Sequence, residues 1–490
     1  MLYKFEENTQ KLLVYASTSL SKTEIHFWNR TRESLLKLNL EFLLMGTSTN
    51  KEAENNLCMP YLYMPPILSS YTNIYTSFPE EDVDNIAELL EIEEKWFGKG
   101  SIELRKSGAR YIHNLYIELI TSLKPKSCII WNGELPTQII LKNICNKISC
   151  PVVFIERGPL PDTMQLSKLG FNGGFNGSHP IANKTNWEWP DAQTQKRSHS
   201  LYLSYKKLYK DCSFTWHPQP SSNNKYISIP KNKKVILFFN QLDEDTSNFY
   251  FSPFFKKNID ALKWLCEQLK ARNDIYIIAK QHPCNHDKTD AYERIIKKQG
   301  IWTNSLSLKS CLNLADYVVG VNSSSLFESL VLDKAVLQLG KSLLSNKNIV
   351  YEYNHNDQNV ISNWLDKVDL ETKLKNWSDF ASYLFYDQMY LTNENCEDYE
   401  SFRNINDISI YLNDTSQNHN EIYEKFFPKI KIDLQYIANM HEYINLITPR
   451  RLRYGSGSLM RRIIYCLPYP RRMLKAIRYW AEDRSNTYKY

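Results

Sequence analysis

Two stretches, Asp274-Ile-Tyr-Ile-Ile-Ala-Lys-Gln-His-Pro283 and Ala315-Asp-Tyr-Val-Val-Gly-Val-Asn-Ser-Ser-Ser-Leu-Phe-Glu328, decide how this chain is read. Each is a short apolar run that stops at polar residues, the pattern of a buried strand. The second passes directly into helical spacing. In an open parallel sheet, ligands sit beyond the carboxyl ends of the strands. His282-Pro283 at one such end and Asn322-Ser-Ser-Ser325 at another therefore mark a candidate phosphate cradle. Hydroxyls and free backbone N–H groups at a helix start bind anions well.

Working outward, strand and helix patterns alternate on both sides. Leu12 to Ala16, Glu41 to Met45, Cys128 to Trp131 and Val152 to Ile155 read as strands. Asn29 to Leu38, Val83 to Phe97, Ile102 to Leu123 and Gln138 to Asn146 read as helices between them. Residues 158–218 break into Gly, Asn, Pro and Trp and read as a long functional loop plus a crossover. Alternation resumes with strands at Lys234 to Phe239, Ile275 to Ile278, Tyr317 to Val319 and Ala335 to Leu339. Helices are expected at Asn258 to Arg272, Ala291 to Gln299 and Leu326 to Leu332. Asp366 to about Met440 is charged and helical with no β runs.

Such alternation implies parallel α/β sheets. The expected fold is two doubly wound Rossmann-like domains, the GT-B architecture, followed by a helical region and a basic tail. Boundaries are expected at 1–215, 216–365, 366–448 and 449–490, with the ligand cleft between the first two.

Size and composition agree with this reading. The chain has 490 residues, 42% hydrophobic and 23% charged, with 32 Tyr, which excludes a disordered or collagen-like chain. No run reaches the roughly 18 apolar residues of a membrane span. Met1-Leu-Tyr-Lys-Phe-Glu-Glu7 carries charge where a signal peptide needs an apolar core, so a cytoplasmic location is expected. Ten scattered cysteines show no Cys-x-x-Cys and no zinc spacing; Cys128, Cys145 and Cys150 read as small core residues of a reduced protein.

The formal net charge is +6. Between Arg450 and Tyr490 lie eleven basic and two acidic residues, so the tail carries a surplus of nine and the rest of the chain is mildly acidic. From about Pro470 a helix would set Met473, Leu474 and Ile477 against Arg471, Arg472, Lys475 and Arg478. That is the pattern of an interfacial helix on anionic lipid, here the inner face of the cytoplasmic membrane. No nucleic-acid motif accompanies it, so nucleic acid is not expected as a partner.

Lys280 and His282, with Pro283, would neutralise a phosphate-bearing leaving group. An X-Pro at a strand end is also an ordinary stop signal. Asn322, Ser323, Ser324 and Ser325 offer more hydroxyls than an N-cap needs. Glu328 lies one turn further in, where a carboxylate accepts ribose hydroxyls or serves a capping box with Ser325. Gln241-Leu-Asp243-Glu-Asp245 ends another strand of the same unit. Glu134 and Glu156 both end strands of the first domain, as paired acid/base carboxylates would. Glu156-Arg-Gly-Pro-Leu-Pro-Asp162, with Gly170-Phe-Asn172, is the most irregular loop. Arg157 there suits the carboxylate of an acidic sugar, or a Glu–Arg ion pair that holds the loop. No Asp-x-Asp is set between apolar segments, so an obligatory metal is not indicated.

These residues resemble the bacterial capsule polysaccharide synthesis and export family, whose characterised members transfer Kdo (3-deoxy-manno-octulosonic acid) from CMP-Kdo. The resemblance rests on Glu156-Arg-Gly158, Gly170-Phe-Asn172, Gln241 to Asp245, Lys280-Gln-His-Pro283 and Asn322 through Glu328 to Val336 and Gly340, and covers roughly residues 125–345. It implies a GT-B enzyme whose second domain holds CMP, with His282 and Ser323 to Ser325 at the phosphate. Transfer to a glycan or lipid-linked acceptor would use a carboxylate near the Glu156 loop. Arg157 stands where some relatives are acidic, which brings Asp162 and Glu134 in as further catalytic candidates; Arg157 and Asn172 are expected to contact substrate. No cofactor beyond the CMP-sugar donor substrate is expected. A CDP-polyol phosphotransferase of teichoic-acid type, which also pairs a His-Pro with a Ser-Ser helix start, is the alternative enzyme. A catalytically silent membrane-anchored scaffold of capsule assembly is the alternative from another class.

Overall fold

The computed structural model describes residues 5–6, 9–15, 22–46, 57–64, 102–134, 136–171, 187–211, 228–243, 246–283, 290–357, 359–394 and 399–415. The expected helix from Val83 to Phe97, Asn172, Glu244, Asp245 and the basic tail lie outside these residues.

The chain divides into two compact units, Met1–Ile155 with Ile405–Tyr490, and Glu156–Asn404. The expected boundary at 215/216 lies inside the second of these. In the first unit the order β3-β2-β1-β4-β5 is formed by β1 (Gln10–Tyr15), β2 (Leu40–Gly46), β3 (Tyr61–Tyr63), β4 (Cys128–Trp131) and β5 (Val152–Arg157), the last straddling the division. Their pairings are parallel. Helices α1 (Lys22–Leu36), α2 (Ile102–Leu123) and α3 (Pro136–Lys147) connect them. The order 3-2-1-4-5 is doubly wound, as the strand–helix alternation requires.

The second unit holds a six-stranded sheet, β7 (Lys234–Phe239), β8 (Ile275–Lys280), β9 (Gly300–Thr303), β10 (Tyr317–Gly320), β11 (Ala335–Gln338) and β12 (Tyr351–Glu352), ordered β12-β11-β10-β7-β8-β9. Renumbered within the unit this is 3-2-1-4-5-6, the Rossmann order. All five pairings are parallel. Strand β7 shows why an apolar run belongs here. Val235, Leu237 and Phe239 enter one core cluster, and Ile236 and Phe238 enter the other. Both faces are dry, so neither parity tolerates polar residues. The first cluster is closed by α4 (Ala192–Asp211) and three further helices, α8 (Leu308–Leu314), α9 (Ser325–Val331) and α11 (Leu370–Asp387). On the opposite face the second is closed by α6 (Asn258–Gln268), α7 (Asp290–Ile296) and α10 (Val360–Leu365). Helix α5 (Thr246–Phe251) sits between β7 and α6 in the chain.

Three sequence expectations need correction. Among the described residues of 158–218, the expected loop is largely replaced by β6 (Thr163–Ser167) and the twenty-residue α4. The buried face of α4 is Ser198, Tyr202, Tyr205 and Tyr209, at helical spacing but made of hydroxyl-bearing residues, so its hydropathy is low. Asp366 to Met440 is not free of strands, because β13 (Met389–Leu391) pairs antiparallel with β6. The helix expected from Asn29 begins at Lys22. Helix α12 (Ile405–Thr415) returns to the first unit and packs on α1. No helix among the described residues is long and apolar enough to cross a membrane.

Candidate functional site

The Rossmann order places a topological switch point between β7 and β10, where the chain leaves in opposite directions and opens a crevice. The loops that follow these two strands begin at Asn240-Gln241 and at Val321-Asn322. Neighbouring β8 ends at Lys280, which pairs in register with Phe239. Gln241, Lys280, His282, Pro283 and Asn322 to Ser325 thus lie along one carboxyl edge, as their strand-end positions require.

The edge is held by amides. Asn240 N–H donates to Lys280 O at 3.0 Å, carrying the ladder one residue past β7. Gln241 N–H donates to Asn258 Oδ1 at 3.1 Å, and Asn258 Nδ2 returns a bond to Gln241 O at 3.0 Å. Asp243 accepts from Asn258 N and Nδ2, both at 2.7 Å. It therefore fixes the start of α6. Asn322 Nδ2 donates to Ser247 O at 2.7 Å and Gln241 Nε2 to Ser247 Oγ at 3.1 Å. Residues from both sides of the switch point converge on Ser247.

Lys280 is buried, 5% exposed, and its ammonium donates to Gln281 O at 3.2 Å. Burial lowers its pKa, slightly opposed by Cys311. Among the described residues no carboxylate pairs with it. A buried cation without a counter-charge is costly, and an anion entering the crevice would relieve it. His282 and Pro283 are half-buried beside it.

The Ser324 N-cap makes no side-chain capping bond, and the local bond runs instead from Ser325 N–H to Ser323 Oγ at 3.3 Å. Ser324 is exposed. Glu328 makes neither a capping box nor a solvated face. It is 5% exposed and accepts from Tyr209 Oη at 2.7 Å, and burial lifts its pKa to about 7 against the opposing Tyr209 bond.

The carboxylate candidates divide between the units. Glu134 belongs to the first, on a left-handed turn with Asn132 at φ 61° and Gly133 at φ 87°. Glu156 and Asp162 belong to the second. Arg157 N–H donates to Glu156 Oε1 at 2.8 Å, and Arg157 O accepts from Gln165 Nε2 at 3.1 Å. Asp162 sits at φ 55°, and its carboxylate accepts from Asn393 Nδ2 at 3.0 Å. Its pKa is raised by burial, the Asn393 bond opposing.

Asn240 is the residue of this edge that sequence reading missed. Its signal was an amide directly after an apolar strand. Among the described residues the group fit to hold a metal by proximity is Cys128, Cys145 and Cys150, whose sulfurs lie within 4.8 Å of one another in the first unit. Hydrogen bonding to Cys145 and Cys150, with burial, raises the Cys128 thiol well above its usual range.

Residues 186–386 match the model of the family described as capsule polysaccharide biosynthesis protein. No curated protein matches the chain by sequence. Among solved structures, KpsC of Thermosulfurimonas dismutans, a beta Kdo 2,7 transferase, is similar at 16% identity and TM-score 0.41, covering 83% of this chain and 99% of that one. The beta Kdo 2,4 transferase of the same KpsC gives 12% and 0.38, over 55% of this chain and 82% of that one. A glycosyltransferase from Rickettsia africae gives 13% and 0.35, over 85% and 99%.

Proposed function

We propose that this chain, whose residues 186–386 match the capsule polysaccharide biosynthesis family, is a glycosyltransferase of capsule or surface polysaccharide synthesis. It transfers Kdo or a related acidic sugar from a CMP-activated donor to a glycan or lipid-linked acceptor. The observation that carries the reading is Lys280: a buried ammonium with no carboxylate partner among the described residues, at the carboxyl edge of a Rossmann sheet.

The bond that breaks joins the anomeric carbon to a phosphate oxygen of CMP, which leaves with the electron pair. Lys280 and His282 neutralise that charge, and Ser323 to Ser325 donate to the phosphate oxygens. Gln241 and Asn322 shape the pocket. We assign Glu328 the positioning of α9 through Tyr209 rather than contact with ribose, because one of its oxygens is taken by that bond. Glu156, Asp162 or Glu134 takes the acceptor hydroxyl's proton or attacks the anomeric carbon. The raised pKa of Asp162 favours it as the base. Arg157 and Asn172 are proposed to contact the acidic sugar, and the basic tail to hold the chain at the cytoplasmic face of the inner membrane.

Titration calorimetry with CMP on the full chain tests the reading. Lys280→Met should weaken binding roughly 10–100-fold, the loss expected for one charge-assisted bond. Transfer from CMP-Kdo to a lipid-linked acceptor, read by mass spectrometry, tests the reaction. Transfer from CDP-glycerol alone would replace it with a polyol phosphotransferase. Absence of any nucleotide binding would leave a scaffold.

A further inference from the structure

The antiparallel pairing of β13 with β6 sets Leu391 opposite Thr163, so the residues after β13 arrive beside those before β6. Thr392 and Asn393 therefore reach Asp162, which lies 231 positions from Asn393 in the chain. Thr392 donates to Asp162 O twice, from its N–H and from its hydroxyl, each at 2.9 Å. Asn393 Nδ2 donates to Asp162 Oδ2 at 3.0 Å. The preceding residues are tied as well. Tyr205 of α4 donates its hydroxyl to Pro161 O at 2.8 Å, and Thr163 Oγ1 donates to Leu160 O at 2.6 Å.

Asp162 holds φ at 55°, a left-handed conformation that persists only where surrounding bonds impose it. An aspartate that merely shapes a turn spends its carboxylate on the turn's own N–H groups. This one accepts instead from a distant side chain. An ionised carboxylate has no proton to give, so Asn393 must present its NH2 there. Oδ1 accepts no bond among the described residues, and the side chain is half-buried. The segment from Gly158 to Asp162 follows the carboxyl end of β5, the edge where an α/β sheet takes its ligands. One oxygen held and the other open is the arrangement a general base needs.

We propose that Asn393 is the positioning residue of Asp162, holding Oδ2 so that Oδ1 receives the proton of the acceptor hydroxyl. This rests on, and deepens, the reading of the chain as a transferase with Asp162 as its base. The acceptor oxygen forms its bond to the anomeric carbon and gives its proton to Oδ1. The bond from that carbon to the phosphate oxygen breaks, and CMP leaves with the electron pair.

Burial raises the Asp162 pKa and the Asn393 bond opposes it. The titratable group facing it from α4 is the phenol of Tyr205, which burial and nearby acids, Asp162 among them, keep neutral. Glu156, Arg157 and Glu394 flank the two segments in sequence, and Arg403 turns its guanidinium to Tyr386 O and the Tyr390 hydroxyl. Without the Asn393 donor the ionised form is less favoured, so the base keeps its proton to higher pH.

Asn393→Leu, Asn393→Asp and Thr392→Val, as full chains, are titrated with CMP and melted. CMP release from CMP-Kdo is then followed from about pH 5 to 9, with a lipid-linked acceptor and with water alone. Asn393→Leu should lose about tenfold in kcat at pH 8, move the acidic limb of kcat/KM up by about one pH unit, and bind CMP as wild type does. Asn393→Asp keeps the shape but sets a like charge against Asp162, and should move the limb further. Thr392→Val should lower the melting temperature and leave the limb in place, since it loosens the backbone and not the carboxylate. A limb at the wild-type position in both Asn393 variants overturns the proposal alone, as does Asp162→Asn releasing CMP at the wild-type rate. A wild-type chain that neither binds CMP nor releases it from CMP-Kdo overturns the transferase reading and the positioning role with it.

Discussion

The Tyr209 hydroxyl donates to the Glu328 carboxylate at 2.7 Å and so ties α4 to α9, the helix that begins at Ser325. A carboxyl buried this deeply stays ionised only at a cost, which is why its pKa rises from 4.5 to about 7.

The sign of the resulting pH dependence is fixed. Between 4.5 and about 7 the native chain holds one proton more than the unfolded chain at this site. Raising pH through that window removes stability, on the order of 3 kcal/mol, and the contribution is fully present below it. Glu328→Gln keeps an acceptor for Tyr209 and should flatten this part of the profile. Tyr209→Phe should cost more at pH 8 than at pH 5, since it removes the donor that the ionised form needs. Urea midpoints from pH 4 to 8 check both; parallel curves for wild type and Glu328→Gln would contradict the assignment.

In the first unit, Glu41 on β2 has a fully buried side chain and accepts from Arg32 Nε at 2.9 Å and Nη2 at 2.5 Å. Arg32→Ala leaves that carboxylate with Lys11 Nζ at 3.8 Å, the Glu6 N–H at 2.6 Å and the Thr9 hydroxyl at 3.4 Å. Breaking a buried pair from one side costs about 3–5 kcal/mol. With those partners left in place, Arg32→Ala should lose less than that, about 1–3 kcal/mol, in chemical denaturation, and adding Glu41→Gln should recover part of it.

Gly158 follows β5, where its N–H donates to Thr163 O at 2.7 Å. A Cβ at this position would lie 1.9 Å from Thr163 Oγ1 and 2.9 Å from Thr163 Cβ. Gly158→Ala must therefore push β6 away. A loss of about 1–3 kcal/mol is expected, the usual cost of overpacking, and thermal melting measures it.

Cys128, Cys145 and Cys150 are 0%, 0% and 3% exposed, whereas Cys58 is exposed. Reactivity needs a thiolate with access. Alkylation mapped by mass spectrometry should label Cys58 in the folded chain and the buried three only after denaturant. Labelling of the three at the rate of Cys58 would show that this core opens.

Much of the fold was legible because the strands β1 to β5 and β7 to β12 pair in parallel, and the six-stranded sheet is covered on two faces. Runs such as Val235 to Phe239 are then continuously apolar and stand out from their surroundings. Helix α4 was not legible, since its buried stripe is built from tyrosines whose rings pack inward while their hydroxyls depress hydropathy. Strand β13 was not, since three residues at an edge carry almost no periodic signal.

From sequence alone, local patterning determines that strands alternate with helices and that Lys280, His282 and Asn322 to Ser325 come at strand ends. It does so because side-chain burial in such a sheet repeats along the chain itself. Only tertiary structure decided that the strands order as 3-2-1-4-5-6, that Glu328 faces Tyr209, and that the amide of Asn240 is buried with no partner among the described residues. Those outcomes depend on contacts between residues far apart in the chain, 119 positions in the case of Tyr209 and Glu328, and no local pattern encodes which distant group will fill a given space.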